Sequence, residues 1–271
     1  MGRRVGTGIT LTFAKKHCMC YSIASLERKA ERLARRYCNV LPPQWQTPQS
    51  GGEVPGELPL YYFVSGFAHP YLPVIRPDGM RMHSWGLIPH WAKDRNTALK
   101  IRKGTLNAVG ETVFDKPSFR LSIRKKRCLL GVSGFFEWHG AGGKKFPYFI
   151  YREDREMFSL GCIYDSWADP ESGEIIHSFG IITTPANPLL ETIHNHKKRM
   201  PLIIAREQEA LWTDPGMPVE ELKAMIRPYN GNELRAHSVS RELNRVRENR
   251  NEPWAIEKAS YAGIPDEMGS P

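Results

Sequence analysis

Cys20, Glu137 and the His194/His196 pair are the residues of this chain whose types and settings could do covalent chemistry. Cys20 follows Met19. The segment after it, CYSIASLERKAERLARRY, reads at once as a short strand running into an amphipathic helix, whereas the leader MGRRVGTGITLTFAKKHC does not read as part of a domain. If translation begins at Met19 and that methionine is trimmed, Cys20 carries a thiol and a free α-amine on adjacent carbons. Such a 1,2-aminothiol condenses with an aldehyde through nitrogen and then closes a five-membered ring through sulfur. The amine titrates near ~7.7–8 and a free thiol near ~8.5, so both are partly nucleophilic at neutral pH. The plainer reading is an incidental methionine followed by a cysteine buried as a small hydrophobe.

Glu137 lies in the aromatic run Gly134-Phe135-Phe136-Glu137-Trp138. A carboxyl in apolar surroundings has its pKa raised toward neutrality, which suits it to proton transfer. Strand alternation could instead turn it away from Phe136 and Trp138 and into solvent. His194 and His196 stand two apart in Ile193-His194-Asn195-His196, ahead of Arg199-Met200-Pro201. Leu106-Asn107-Ala108, with Glu111-Thr112 after it, is a fourth motif; an Asn in such a place is commonly a cap or turn residue. Trp85 and Trp91 would ordinarily be core residues.

These residues must be positioned by a fold. At 271 residues the chain can bury a sizeable core, as one or two domains. The five cysteines, at 18, 20, 38, 128 and 162, suggest neither a zinc site nor a disulfide framework, so no metal and no cofactor is expected. No apolar run approaches ~18 residues and the leader lacks an apolar h-region, which points to a cytoplasmic protein with no membrane partner. The net charge of +9 permits a polyanionic partner such as nucleic acid. Yet the basic runs 27–36 and 241–250 are interleaved with Glu, as on a solvated helix.

Ser25 is expected to cap a helix carrying Leu26, Ala30, Leu33, Ala34 and Tyr37. Residues 41–60 read as a loop or insertion. Strand-like runs follow at 61–64, 72–75 and 81–87, and dominate 128–164, with a hairpin turn at Gly140 to Gly143. A further strand covers 174–184, then a helix opens after Thr184-Pro185-Ala186-Asn187. Residues 201–204 read as a strand, and 206–212 and 219–226 as helices. With no internal repeat and no sustained βα alternation, the fold class is α+β: one domain on a mostly antiparallel sheet.

Taken in order, the motifs resemble the SRAP family, the SOS-response-associated peptidase fold. They are Met19-Cys20, Trp85 to Trp91 (W-G-L-x-P-x-W), Asn107 to Thr112 (N-A-x-x-E-T), Gly134 to Trp138 (G-F-F-E-W), Arg199 to Pro201 (R-M-P), and a closing Val239-Ser240 with Asn244. The resemblance covers about residues 19–256, leaving 1–18 as a leader or misassigned start and 257–271 as a flexible tail. It implies a sheet or barrel with peripheral helices, acting as a monomer. It implies a protein that crosslinks to abasic sites in single-stranded DNA. The N-terminal cysteine forms a Schiff base with the sugar aldehyde, and the thiol closes a thiazolidine. Cys20, Asn107, Glu137 and His194 would be the catalytic set. Glu137 would shuttle the amine proton, His194 would assist sugar ring opening, and Asn107 would position the sugar or the cysteine backbone. Trp85, Trp91, Arg199, Met200 and Pro201 would line the DNA cleft, where stacking on unpaired bases contributes ~1–3 kcal/mol each.

The chain departs from the family pattern in three places. Tyr21-Ser22 stand where Gly-Arg is common, and Val109 stands where an arginine is common. Three extra residues separate His194 from Arg199, so His194 keeps the Ile-His pair while His196 lies closer to Arg-Met-Pro. Lys93, Arg95, Arg102, Arg127, Lys197, Lys198 and Arg199 are cations that could replace the lost phosphate grips. Two other readings stay open: an (auto)peptidase cleaving before Cys20, and a non-covalent single-strand-binding module.

Overall fold

The computed structural model describes residues 21–42, 54–245 and 249–269; Met19, Cys20 and the leader lie outside the described residues. The elements, in chain order, begin with β1 (Ser22–Ser25), α1 (Ala30–Arg36), β2 (Tyr61–Ser65), β3 (Tyr71–Arg76), β4 (Gly79–Trp85), α2 (Arg95–Arg102) and β5 (Asn107–Val109). Next come α3 (Ser122–Lys125), β6 (Arg127–Val132), β7 (Gly134–Ala141), β8 (Lys144–Arg152), β9 (Phe158–Ala168) and β10 (Ile175–Pro185). The chain continues with α4 (Pro188–Ile193), β11 (Arg199–Pro201), β12 (Ile203–Ile204), α5 (Glu209–Thr213), α6 (Val219–Met225), β13 (Leu234–Ser238) and β14 (Glu267–Gly269).

Five strands close into a barrel. β10 pairs with β4, β4 with β3, β3 with β6, β6 with β9, and β9 with β10 again. All these pairings are antiparallel except β10–β4. β5 runs parallel to β10, with Asn107 opposite Ile181, and β11 runs antiparallel to it, with Met200 opposite Thr184. The second sheet has the order β14-β13-β8-β7-β1-β2. The α+β, mostly antiparallel architecture read from the sequence is the observed one.

One core joins the two sheets: Trp85, Cys162 and Phe179 of the barrel share it with Ile23, Phe135 and Ile150 of the second sheet. The far face of the second sheet is covered too, where Phe63, Phe136 and Phe149 pack with Val239, Leu243 and Ala255. β7 is therefore apolar on both faces, which explains why its sequence shows no clean alternation. Gly134 opens β7 because a Cβ there would lie 2.4 Å from the Phe149 ring. Outside the barrel, Leu33 of α1, Trp212 of α5 and Leu222 of α6 pack against Ile75, Leu129 and Ile163.

Two local readings are corrected, and one helix had not been read. Ser25 does not cap the first helix; it ends β1 opposite Tyr61, and α1 opens only at Ala30. Pairing of β1 with both β2 and β7 outweighs the local capping pattern. α2 has little signal in the sequence, because it buries only Ala98; Asp94 caps it by accepting from the Thr97 amide at 2.7 Å. Residues 257–269, expected to form a flexible tail, pair instead: Ala259 N–H donates to Ser238 O at 2.9 Å and β14 adds to the edge of β13.

Candidate active site

Glu137 sits in the middle of β7 opposite Tyr148 of β8, on the face shared with Phe135. It is fully buried, and no described group makes a well-formed hydrogen bond to either carboxylate oxygen. Burial pushes its pKa well above the ordinary 4.5; the Trp138 amide and Lys145 pull the other way but more weakly. The expectation that it could face solvent fails because both faces of β7 are covered. Trp138, on the opposite face, donates its indole N–H to Asn244 Oδ1 at 2.8 Å, and Asn244 donates to Lys145 O at 3.1 Å. The closing motif thus braces the strand that carries Glu137.

His194 reaches Glu137 from α4. Asn187 caps this helix through the Leu190 amide at 2.9 Å, Pro188 occupies its first turn, and His194 follows its last residue. The ring is buried. Its Nδ1 lies 3.0 Å from Arg199 O and 3.5 Å from Glu137 Oε2. A carbonyl can only accept, so Nδ1 carries a proton and Nε2 is the ring's basic atom. His196 is exposed. The extra residues before Arg199 form a tight turn with Lys198 at φ 49. Within it Asn195 grips the β7–β8 hairpin, accepting from Gly140 N–H at 3.0 Å and donating to Gly140 O at 2.9 Å. Asn195 is a positioning residue that sequence reasoning missed; its only signal was its place inside the three-residue departure.

Asn107, nearly buried, enters from β5. Two residues along that ladder Thr183 of β10 lies opposite both Val109 and Pro201. Arg199 donates to Thr183 O at 2.7 Å and pairs with Glu111, whose pKa it holds below the usual carboxylate value. Met200 and Pro201 are buried, so they support the ladder rather than line an open cleft. Trp85 is also buried, stacked on Phe179 at 6.1 Å with its N–H given to Leu106 O at 2.8 Å; it has no free ring face for a base. Trp91 is 42% exposed and donates to Pro117 O at 3.3 Å. Among the proposed phosphate grips, Arg127 is buried against backbone carbonyls and Arg95 pairs with Asp169. Arg102 is half-buried, and donates to Ser84.

Tyr21, the first described residue, leads into β1. Ile23 pairs with Phe135 and Ala24 with Gly134, antiparallel. Carried back two residues, this register sets Tyr21 against Glu137. Gly66 N–H donates to Tyr21 O at 2.8 Å, and the Phe67 ring lies 4.8 Å from the Tyr21 ring. Gly66 is required there, since a Cβ would meet the Trp85 indole at 2.9 Å. Trp85 therefore supports the turn beside the site from beneath. Among the described residues no group of three His, Cys, Asp or Glu could hold a metal ion.

A β-barrel with a second sheet holds a buried carboxyl–imidazole pair, Glu137 and His194, 3.5 Å apart. The chain belongs to the SOS response associated peptidase (SRAP) family, whose family description matches residues 23–246. It is similar to abasic site processing protein YoqW of Bacillus subtilis, 36% identical over 167 residues, 61% of this chain and 71% of that protein. It is also similar to abasic site processing protein HMCES of Gallus gallus, 33% identical over 185 residues, 60% of this chain and 53% of that protein. A crystal structure of a protein from Bacteroides thetaiotaomicron superposes with a TM-score of 0.76 at 34% identity, covering 89% of this chain and all of the other.

Proposed function

We propose that this chain acts on abasic sites in single-stranded DNA, and that Cys20, once N-terminal, captures the lesion covalently. Its α-amine adds to the C1′ aldehyde of the ring-opened sugar to give a carbinolamine. Loss of water gives an imine. The thiol then adds across the C=N bond, its proton passing to nitrogen, and a thiazolidine results. No redox partner is needed. The amine is exposed either by initiation at Met19 with methionine removal or by cleavage of the Met19–Cys20 bond.

The observation that carries this reading is the buried Glu137 carboxyl, 3.5 Å from His194 Nδ1, on the strand along which β1 runs antiparallel. Carbinolamine formation needs a proton taken from the amine, and dehydration needs one delivered to the departing hydroxyl. A carboxyl whose burial holds its pKa well above 4.5 can do both in turn. The His194 imidazole packs beside it through Nδ1, and its other nitrogen, Nε2, is the basic atom that would assist ring opening of the sugar. Two relatives named abasic site processing proteins support the substrate class.

The test is adduct formation by protein beginning at Cys20 with a single-stranded oligonucleotide bearing one abasic site. A heat- and detergent-stable adduct is expected. Cys20→Ala abolishes it, whereas Cys38→Ala, Cys128→Ala and Cys162→Ala do not. Cys20→Ser leaves at most a borohydride-trappable imine, because a hydroxyl is a far weaker nucleophile than a thiolate. Wild-type adduct yield from Cys20→Ala would refute the reading.

A further inference from the structure

The chain beyond the family match, which ends at residue 246, folds back onto the sheet that carries Glu137. Ser238 of β13 holds it at two points: its N–H donates to Asp266 O at 2.9 Å and its hydroxyl to Ala259 O at 2.6 Å. The Tyr261 hydroxyl accepts from Arg241 N–H at 2.8 Å and donates to Val239 O at 3.2 Å. Lys258 pairs with Glu267 at 2.9 Å and ties the two arms of the segment together. Tyr261, Ile264 and Met268 then pack against the core to which Phe135, Phe146 and Tyr148 belong. Residues 258–269 are therefore a strap, fixed at both ends and apolar underneath.

The strap reaches the candidate site through Tyr148. This residue is the cross-strand neighbour of Glu137, β8 against β7, on the same face. Such neighbours have Cβ atoms about 4.5–5.5 Å apart. The Tyr148 ring is fully buried and meets His139 edge-on, 6.3 Å between centroids. Its hydroxyl donates to Pro265 O, within the strap. Burial, and then the Asp266 carboxylate, push the phenol up to about 12, so it stays a donor at neutral pH. Two residues away on β8, Phe146 lies under the Tyr261 ring at 5.3 Å. Neither Glu137 oxygen has a well-formed hydrogen bond, so the protonation of this carboxyl is governed by what walls it off from water. Among the described residues, the titratable groups facing it are His194 from the end of α4 and Lys145 and Tyr148 from β8. Asp266 and His139 face Tyr148.

We propose that the strap 258–269 is part of the active site: the Pro265 carbonyl fixes the Tyr148 ring beside the Glu137 carboxyl, and ring and strap together keep water from it. Tyr148 acts through Glu137 and is a positioning residue. Its effect on rate rests on the proposed function, whereas its effect on Glu137 does not.

The Glu137 carboxyl can be titrated directly by carbon NMR of the full chain labelled at its glutamate side chains, with Glu137→Gln assigning the signal. Tyr148→Phe keeps the ring and removes its anchor. Tyr261→Ala loosens the strap without altering Tyr148. Each should lower the Glu137 midpoint by about half a pH unit or more, because water gains access to the charged form. Tyr37→Phe is the control. It deletes a buried hydroxyl of the same kind, 2.8 Å from Ser159 Oγ and held between α1 and β9, and should leave the midpoint unchanged. Absence of the shift in either variant, or an equal shift in Tyr37→Phe, overturns the proposal. Single-turnover crosslinking with protein beginning at Cys20 adds a second arm. The limb of the pH–rate profile that Glu137 sets should move to lower pH by the same amount as the NMR midpoint. An equal fall in rate at every pH would overturn the link from strap to reaction. If wild type forms no adduct, the covalent reading fails and the NMR titration still decides whether the strap holds Glu137.

Discussion

Glu137 has a cost as well as a use. Its pKa is raised in the folded chain by burial, so folding favours the protonated form. Stability is therefore fully present below about pH 4.5 and falls as pH rises toward the raised folded value. Glu137→Gln keeps the shape and removes the charge. It should melt at a higher temperature than wild type at pH 7 and 8, with the gap closing near pH 4, measured by calorimetry. The same variant should form adduct 10²–10⁴-fold more slowly, the usual range for a positioned acid or base. His194→Ala should also be slow under single-turnover conditions, and His196→Ala close to wild type, since only His194 is buried against Glu137. A normal rate for His194→Ala would remove the imidazole from the chemistry. The two tryptophans of the W-G-L-x-P-x-W segment should separate in the same manner. Trp85→Ala should lose about 3–5 kcal/mol of stability in chemical denaturation, whereas Trp91→Ala should stay within about 0.5 kcal/mol.

At the scale of elements, buried Arg127 ties two helix ends together. Its guanidinium donates to Trp212 O at 2.7 Å, to Ile123 O at 2.8 Å, to Arg124 O at 2.6 Å and to Asp214 O. These carbonyls end α3 and α5, where a helix leaves acceptors unsatisfied. Arg127→Ala should cost at least about 3 kcal/mol, because several buried acceptors lose their donor together; urea denaturation monitored by tryptophan fluorescence reads it. Much of the element order was legible. The Asn187 cap, the Gly142–Gly143 turn and the strand runs through β6 to β9 carry local signals that survive packing. What was not legible depended on neighbours distant in sequence. Ser25 carries a good cap pattern, yet β7, more than a hundred residues later, claims its segment for a strand. The choice between His194 and His196 needed the turn that Asn195 holds against Gly140. Trp85 and Trp91 look alike in the motif, and only the closed barrel buries one and exposes the other.

The whole molecule carries opposing titrations. His83, buried in the barrel, has its pKa pushed down to about 3, chiefly by burial and then by Arg76 and His177. A depressed value contributes stability above about pH 6.5, lost progressively as pH falls toward 3. Glu137 acts in the other direction, so stability should pass through a maximum and decline on both sides. His83→Gln should flatten the acid limb and Glu137→Gln the alkaline limb, read as melting temperature against pH. If neither limb changes in its own variant, these groups do not set the profile.

β1 has a consequence for biosynthesis. It is made early, yet it is an interior strand, held between β2 and β7. β7 leaves the ribosome more than a hundred residues after it, and His194 later still. A nascent chain can therefore display the segment leading into β1 long before Glu137 and His194 have been made. Under the proposed function, completion of the fold is what switches on the Cys20 amine, and small cellular aldehydes meet an unassisted amine until then. Ribosome-stalled chains ending before β7 should react with a small aldehyde at the rate of a free cysteine peptide, and full-length released chains faster.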